Sequence, residues 1–172
     1  MKALYETLGG CGRPPKDDAN KFALLSLIAM AVAWVVVPVG IVLGNHDHFV
    51  SGDGVAAVLR QAGLKVLRNE GEVVEHQGAR LWLCGADDTW RGLDDVAAAL
   101  RGRPAGMPAL LLAHDPNLWP EAVALGCELT LSGHTHGGQV GLVKVHPSLS
   151  PARLISPFVA GGYAQGGQKL HV

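Results

Sequence analysis

From Val39 onward the chain alternates apolar runs of strand length with segments whose apolar positions recur at helical spacing, the pattern of an α/β fold. Val39-Gly40-Ile41-Val42-Leu43 has the β-branched make-up of a buried parallel strand that ends in a polar turn. Asp53 is placed to cap a helix over residues 54–61, with Ala56, Ala57, Leu59 and Ala62 on its apolar side and Gly63 as its stop. Residues 65–68, 72–76 and 80–84 are short β-type runs that read as a meander, joined by Asn-Glu-Gly and Gln-Gly turns. A helix over 94–100 follows. Two apolar runs, 109–113 and 129–131, have the lengths of central strands, with a proline-initiated helix over 120–125 between them.

The first third of the chain has a different character. Residues 1–21 hold a Gly-Gly and a Pro-Pro pair and show neither periodicity, as expected of a leader. Phe22 to Leu43 is a run of 22 residues without a charge, which meets the length of about 20 residues that a membrane span needs. Pro38 and Gly40 split that run, however, and leave residues 22–37 for a helix. Such a helix reaches about 24 Å against a hydrocarbon core of roughly 30 Å. A buried or membrane-surface helix therefore fits better than a span, and localisation stays open between cytoplasmic and membrane-associated. The expected organisation is a leader and apolar helix over 1–38 followed by one domain over 39–172.

Composition narrows the partners. Hydrophobic residues make up 48% of the 172 residues and charged ones 17%, with a net charge of -1, which excludes disorder and argues against a polyanion-binding surface. No nucleic-acid partner is expected. Cys11, Cys84 and Cys127 are widely spaced and form no Cys-x-x-Cys pair, so free thiols are expected rather than a disulfide framework or zinc-thiolate site.

Three of the strand-like runs end in polar clusters: Gly44-Asn45-His46-Asp47, His114-Asp115, and Ser132-Gly133-His134-Thr135-His136-Gly137-Gly138. Ligand sites of open α/β sheets gather beyond the carboxyl ends of strands, so strands lying side by side would bring these clusters together. Imidazole nitrogens with an amide or carboxylate oxygen suit Mn, Fe, Zn or Co, whereas an all-oxygen cage suits Ca or Mg. The clusters thus point to a metal or phosphate site. His48, His76, His146 and His171 stand outside them and are expected to be solvated or satisfied in the core.

In order and approximate spacing, Gly44-Asn45-His46-Asp47, the isolated His114 and Gly133-His134-Thr135-His136-Gly137-Gly138-Gln139 resemble the calcineurin-like metallophosphoesterases. The extended last motif is similar to that of a bacterial branch that is often membrane-associated, and Gly85-Ala86-Asp87-Asp88 fits the same branch. The resemblance covers about residues 39–172. It implies an α/β fold, a β-sandwich flanked by helices, with a dinuclear centre that hydrolyses phosphate mono- or diesters. By the same resemblance Asn45, His114 and His134 bind one ion and His136 reaches the other. His46 is then the acid or charge stabiliser near the leaving group, oriented by Asp47. Two ions clamp the phosphate and make hydroxide available near neutral pH. Asp87, Asp88, Trp90 and Trp119 are candidate rim residues, with an ordinary turn or core aromatic the expected role of each.

The family pattern also includes an Asp-x-His and a Gly-Asp motif upstream of Gly44, and neither is present. The acids before Gly44 are Glu6, Asp17 and Asp18, and no histidine precedes His46. Residues 168–172 also stop inside what resembles a late strand of the family domain. A domain shortened at both ends is therefore expected, with a half site that holds one ion. Two functions compete: a phosphoesterase acting on a phosphoester, which the membrane-associated branch would make lipid-linked, and a non-catalytic membrane-associated metal-binding or interaction module. A nuclease ranks last, because ten scattered basic residues after Gly44 face twelve acidic ones.

Overall fold

The computed structural model describes residues 40–138 and 150–172. The expected leader and the apolar helix over 22–37, together with Gln139 and His146, lie outside these residues. Among the described residues no helix is long and apolar enough to cross a membrane.

The apolar piece before Gly44 forms β1 (Gly40–Ile41), which pairs in parallel with β2 (Lys65–Val66). A parallel pair requires a crossover, and two helices supply it. They are α1 (Asn45–Val50) and α2 (Gly52–Gln61). The cluster after β1 is therefore the first turn of a helix rather than a loop. Ser51, not Asp53, caps α2: its backbone is extended and its hydroxyl accepts from Gly54 N at 3.1 Å. Asp53 already lies inside the first turn. Leu43, Ala56 and Val66 close a small core under α2.

The expected meander is a hairpin. β3 (Glu70–His76) and β4 (Ala79–Gly85) pair antiparallel across Gln77-Gly78, whose φ values of 50° and 80° suit a tight hairpin turn. β2 stays in the other sheet because Asn69, at φ 55°, redirects the chain. The Asn69 side chain holds that bend by accepting from the backbone N–H of Asp87 and Asp95, both at 2.9 Å.

β5 (Ala109–Ala113), β6 (Leu129–Ser132), β7 (Gly162–Gln165) and β8 (Gln168–His171) complete a six-stranded mixed sheet in the order β3-β4-β5-β6-β8-β7. β4, β5, β6 and β8 run parallel, with an antiparallel strand at each edge. Helices α3 (Val96–Ala99) and α4 (Trp119–Ala124) follow β4 and β5. Cys84, Leu111, Ala113, Ala122 and Cys127 share the core on one face of the sheet. Thr130 interrupts the apolar run of β6 and is buried there with its hydroxyl unpartnered. The architecture is α/β, a mixed sheet flanked by helices, in keeping with what the resemblance implies.

β1 lies against the other face of the large sheet. A Cβ built on Gly40 would come within 2.9 Å of Leu67, 3.0 Å of Leu83 and 3.4 Å of Leu112, so glycine permits the close approach. Side chains alternate along β5, and Leu111 faces the core, so Leu112 and the following His114 face β1. This is the packing that positions the site.

Candidate metal centre

Asn45 opens α1 and is almost fully buried, with 5% of its surface exposed. Its Oδ1 stands 3.1 Å from Nε2 of His114, at the end of β5. Nε2 of His114 is also 3.3 Å from Nδ1 of His134, which follows β6. Gly133 N donates to His114 O at 3.1 Å, which extends the β5–β6 register one step and brings the two imidazoles together. Three of the predicted ligands thus converge from three chain segments, although β1 is not a neighbour of β5 in its sheet.

The convergence is poorly served by hydrogen bonding alone. A neutral ring nitrogen carries either a hydrogen or a lone pair, yet His114 Nε2 faces two electronegative atoms. Two ligands held at about 2.0–2.1 Å from a tetrahedral ion stand about 3.3–3.4 Å apart, close to the separations of 3.1 and 3.3 Å found here. The residues therefore fit a divalent ion of the imidazole-binding kind. Burial holds the pKa of His114 below the usual imidazole value, with the nearby His134 adding to the effect. Among the described residues no three His, Cys, Asp or Glu side chains form a metal-binding group; the third donor atom beside the two imidazoles is the amide oxygen of Asn45.

His134 and His136 have φ values of 64° and 53°, in the left-handed region that L-residues seldom occupy. The loop is held by Thr135, whose buried hydroxyl donates to Val159 O at 2.6 Å. His136 is exposed and its ring centroid is 6.5 Å from that of His46 on α1, so these two face each other beside the convergent set. His46 is exposed as well. The expected orientation of His46 by Asp47 is not observed: the Asp47 carboxylate accepts from Gly44 N at 2.8 Å and so ties the first turn of α1 to its own start. An acid at the third helical position is well placed to reach back in this way.

A cleft of about 320 Å³ is lined by Asn45, His46, His134 and His136 together with Trp90 and Ile155. Of the rim candidates, Trp90 alone lies on it, its ring edge-on to His134 with centroids 5.4 Å apart. Asp87 is buried and bonds Arg68 Nε at 2.7 Å and His48 Nε2 at 3.1 Å, while Asp88 caps the turn over residues 89–91. Trp119 is a core aromatic packed on Phe158. The wall formed by Pro151, Ala152 and Ile155 carried no signal in the sequence, since nothing local marks a short apolar turn as part of a cleft.

Comparison with curated proteins decides the family. The chain is 36% identical over 122 residues to an uncharacterized metallophosphoesterase of Aquifex aeolicus, a match covering 66% of this chain and 45% of that protein. It is 31% identical over 131 residues to the phosphodiesterase YaeI of Escherichia coli, covering 74% and 47% respectively. The chain belongs to the calcineurin-like metallophosphoesterase family. A bovine transmembrane protein with metallophosphoesterase domain is 34% identical over 139 residues, 71% of this chain and 30% of that protein. The chain spans less than half the length of these metallophosphoesterases. No family model matches, and no solved structure matches.

Proposed function

We propose that residues 39–172 act as a metal-dependent phosphoesterase that hydrolyses phosphate mono- or diesters with water. The observation that carries this reading is the meeting of Asn45 Oδ1, His114 Nε2 and His134 Nδ1 at 3.1 and 3.3 Å, in a chain whose relatives include a phosphodiesterase. These three residues would hold one Mn, Fe, Zn or Co ion, with His136 directed toward a second. A bound divalent ion polarises the phosphoryl oxygen and makes water acidic enough to yield a nucleophile near neutral pH. His46, exposed on the cleft, delivers a proton from its ring to the departing oxygen. Asp47 supports it indirectly, by fixing the start of α1 through Gly44 N. A lipid-linked phosphoester and membrane association accord with the apolar segment over 22–43 and with a bovine relative that is a transmembrane protein by name.

The second reading, a non-catalytic metal-binding or interaction module, is favoured by one observation. Among the described residues no third ionisable ligand joins His114 and His134. Hydrolysis of bis(p-nitrophenyl) phosphate with added Mn²⁺ decides between them when run beside His134→Ala and combined with calorimetric Mn²⁺ titration. Turnover lost in the variant supports the phosphoesterase. Mn²⁺ binding without turnover supports the module, and neither binding nor turnover overturns both.

A further inference from the structure

The cleft is chemically mixed. Its lining includes the imidazoles of His46, His134 and His136 and the amide of Asn45, together with the apolar side chains of Trp90, Pro151, Ala152 and Ile155. No lysine or arginine is found among the described lining residues. Trp90 and Ile155 are each 55% exposed and line the cleft. Trp90 is also held in place. Its short turn is fastened by Thr89, whose hydroxyl donates to Asp115 Oδ2 at 2.8 Å, and by Arg91, whose guanidinium donates to His48 O at 3.0 Å. Asp88 closes the same turn by accepting from Arg91 N at 3.0 Å. An exposed indole on a turn fastened to α1 and to the residue after His114 costs little entropy to use as a binding platform.

We propose that Trp90 is a specificity-determining residue that packs against an apolar or aromatic substituent of a phosphodiester. This rests on the phosphoesterase reading of the site. A second phosphate or carboxylate on the substrate would find no cationic side chain on the described wall, while a planar or aliphatic group would cover the indole face. The preferred substrate is thus a diester with one apolar ester arm.

The test keeps the leaving group constant and varies the other arm. Phenyl p-nitrophenyl phosphate and methyl p-nitrophenyl phosphate are compared with Mn²⁺ in the full chain, in Trp90→Ala and in Trp90→Phe. The expected result is that Trp90→Ala lowers kcat/KM for the phenyl ester by about tenfold and leaves the methyl ester within twofold, while Trp90→Phe retains most of the preference. Equal losses on both esters would overturn the proposal and make Trp90 merely a support for the His134 ring; no loss on either would overturn it too. Binding of diphenyl and dimethyl phosphate, followed by ligand-observed NMR, needs no turnover. A preference of the parent chain for diphenyl phosphate that Trp90→Ala abolishes supports recognition of the apolar arm by Trp90 where hydrolysis is absent, which tells a failure of the phosphoesterase reading from a failure of this one. Equal binding of the two diesters overturns it.

Discussion

Gly44→Ala isolates the placement of one imidazole from everything else in the site. Gly44 has φ -106° and ψ 171°, ordinary extended backbone, so alanine brings no conformational strain. Its Cβ would nevertheless lie 2.7 Å from Cε1 and 2.8 Å from both nitrogens of the His114 ring. Restoring carbon contacts to about 3.5 Å requires the ring to retreat by about 0.7 Å. Metal ligands tolerate displacements of about 0.2 Å, so His114 Nε2 would leave its shared position with Asn45 and His134. An affinity loss of about 10–100-fold for Mn²⁺ or Zn²⁺ is expected by isothermal titration, comparable with losses on disturbing a ligand's support. Stability should fall by about 1–3 kcal/mol, from alanine at a helix N-cap and from overpacking against the ring. Gly133→Ala is the control: it neighbours His134, but its added Cβ meets nothing within 4 Å, and metal affinity should hold. A folded Gly44→Ala protein that binds the ion as tightly as its parent would refute the reasoning.

Three further outcomes test the surrounding structure. Asp87→Ala removes the buried carboxylate shared by Arg68 and His48 and should destabilise the domain by about 3 kcal/mol in urea unfolding; a loss under 1 kcal/mol would show that the network is not structural. Thr135→Val strands the Val159 carbonyl and should cost about 1–3 kcal/mol, with faster amide exchange in the loop carrying His134 and His136; unchanged exchange would separate that loop from its anchor. Burial pushes the Cys84 thiol up to about 12, helped by Cys127, from an ordinary value of 9.0. Because the folded value is the higher one, the stabilising contribution is complete below pH 9 and is lost as pH rises toward 12. Cys84→Ala should flatten that decline in denaturation curves between pH 9 and 11, and an identical decline would refute the assignment.

The residue pattern by itself determined the parts that depend on local periodicity and turn chemistry. The apolar runs at 109–113 and 129–131 became β5 and β6, and the Gln-Gly pair became a hairpin turn with positive φ at both residues. The residue types at the strand ends pointed to a metal or phosphate site, and the family resemblance supplied Asn45, His114 and His134 as the candidate donors. Other features were decided by tertiary structure. Ser51 replaced Asp53 as the cap of α2 because the cap must be the extended residue just outside the first turn, and that boundary moved. β2 left the hairpin for a second sheet because Asn69 bonds across to Asp87 and Asp95, partners 18 and 26 residues away. Asp47 bonds Gly44 N, and Asp87, expected as an ordinary turn residue with the rim as its other candidate role, became a buried hub that bonds Arg68 and His48. Likewise, which three donors meet, and that His136 faces His46 beside them, follow from β1 lying across β4 and β5 while β5 and β6 hold register. Sequence spacing carries the period of a strand and the chemistry at its end. Only packing between layers fixes the ångström distances on which a metal site depends.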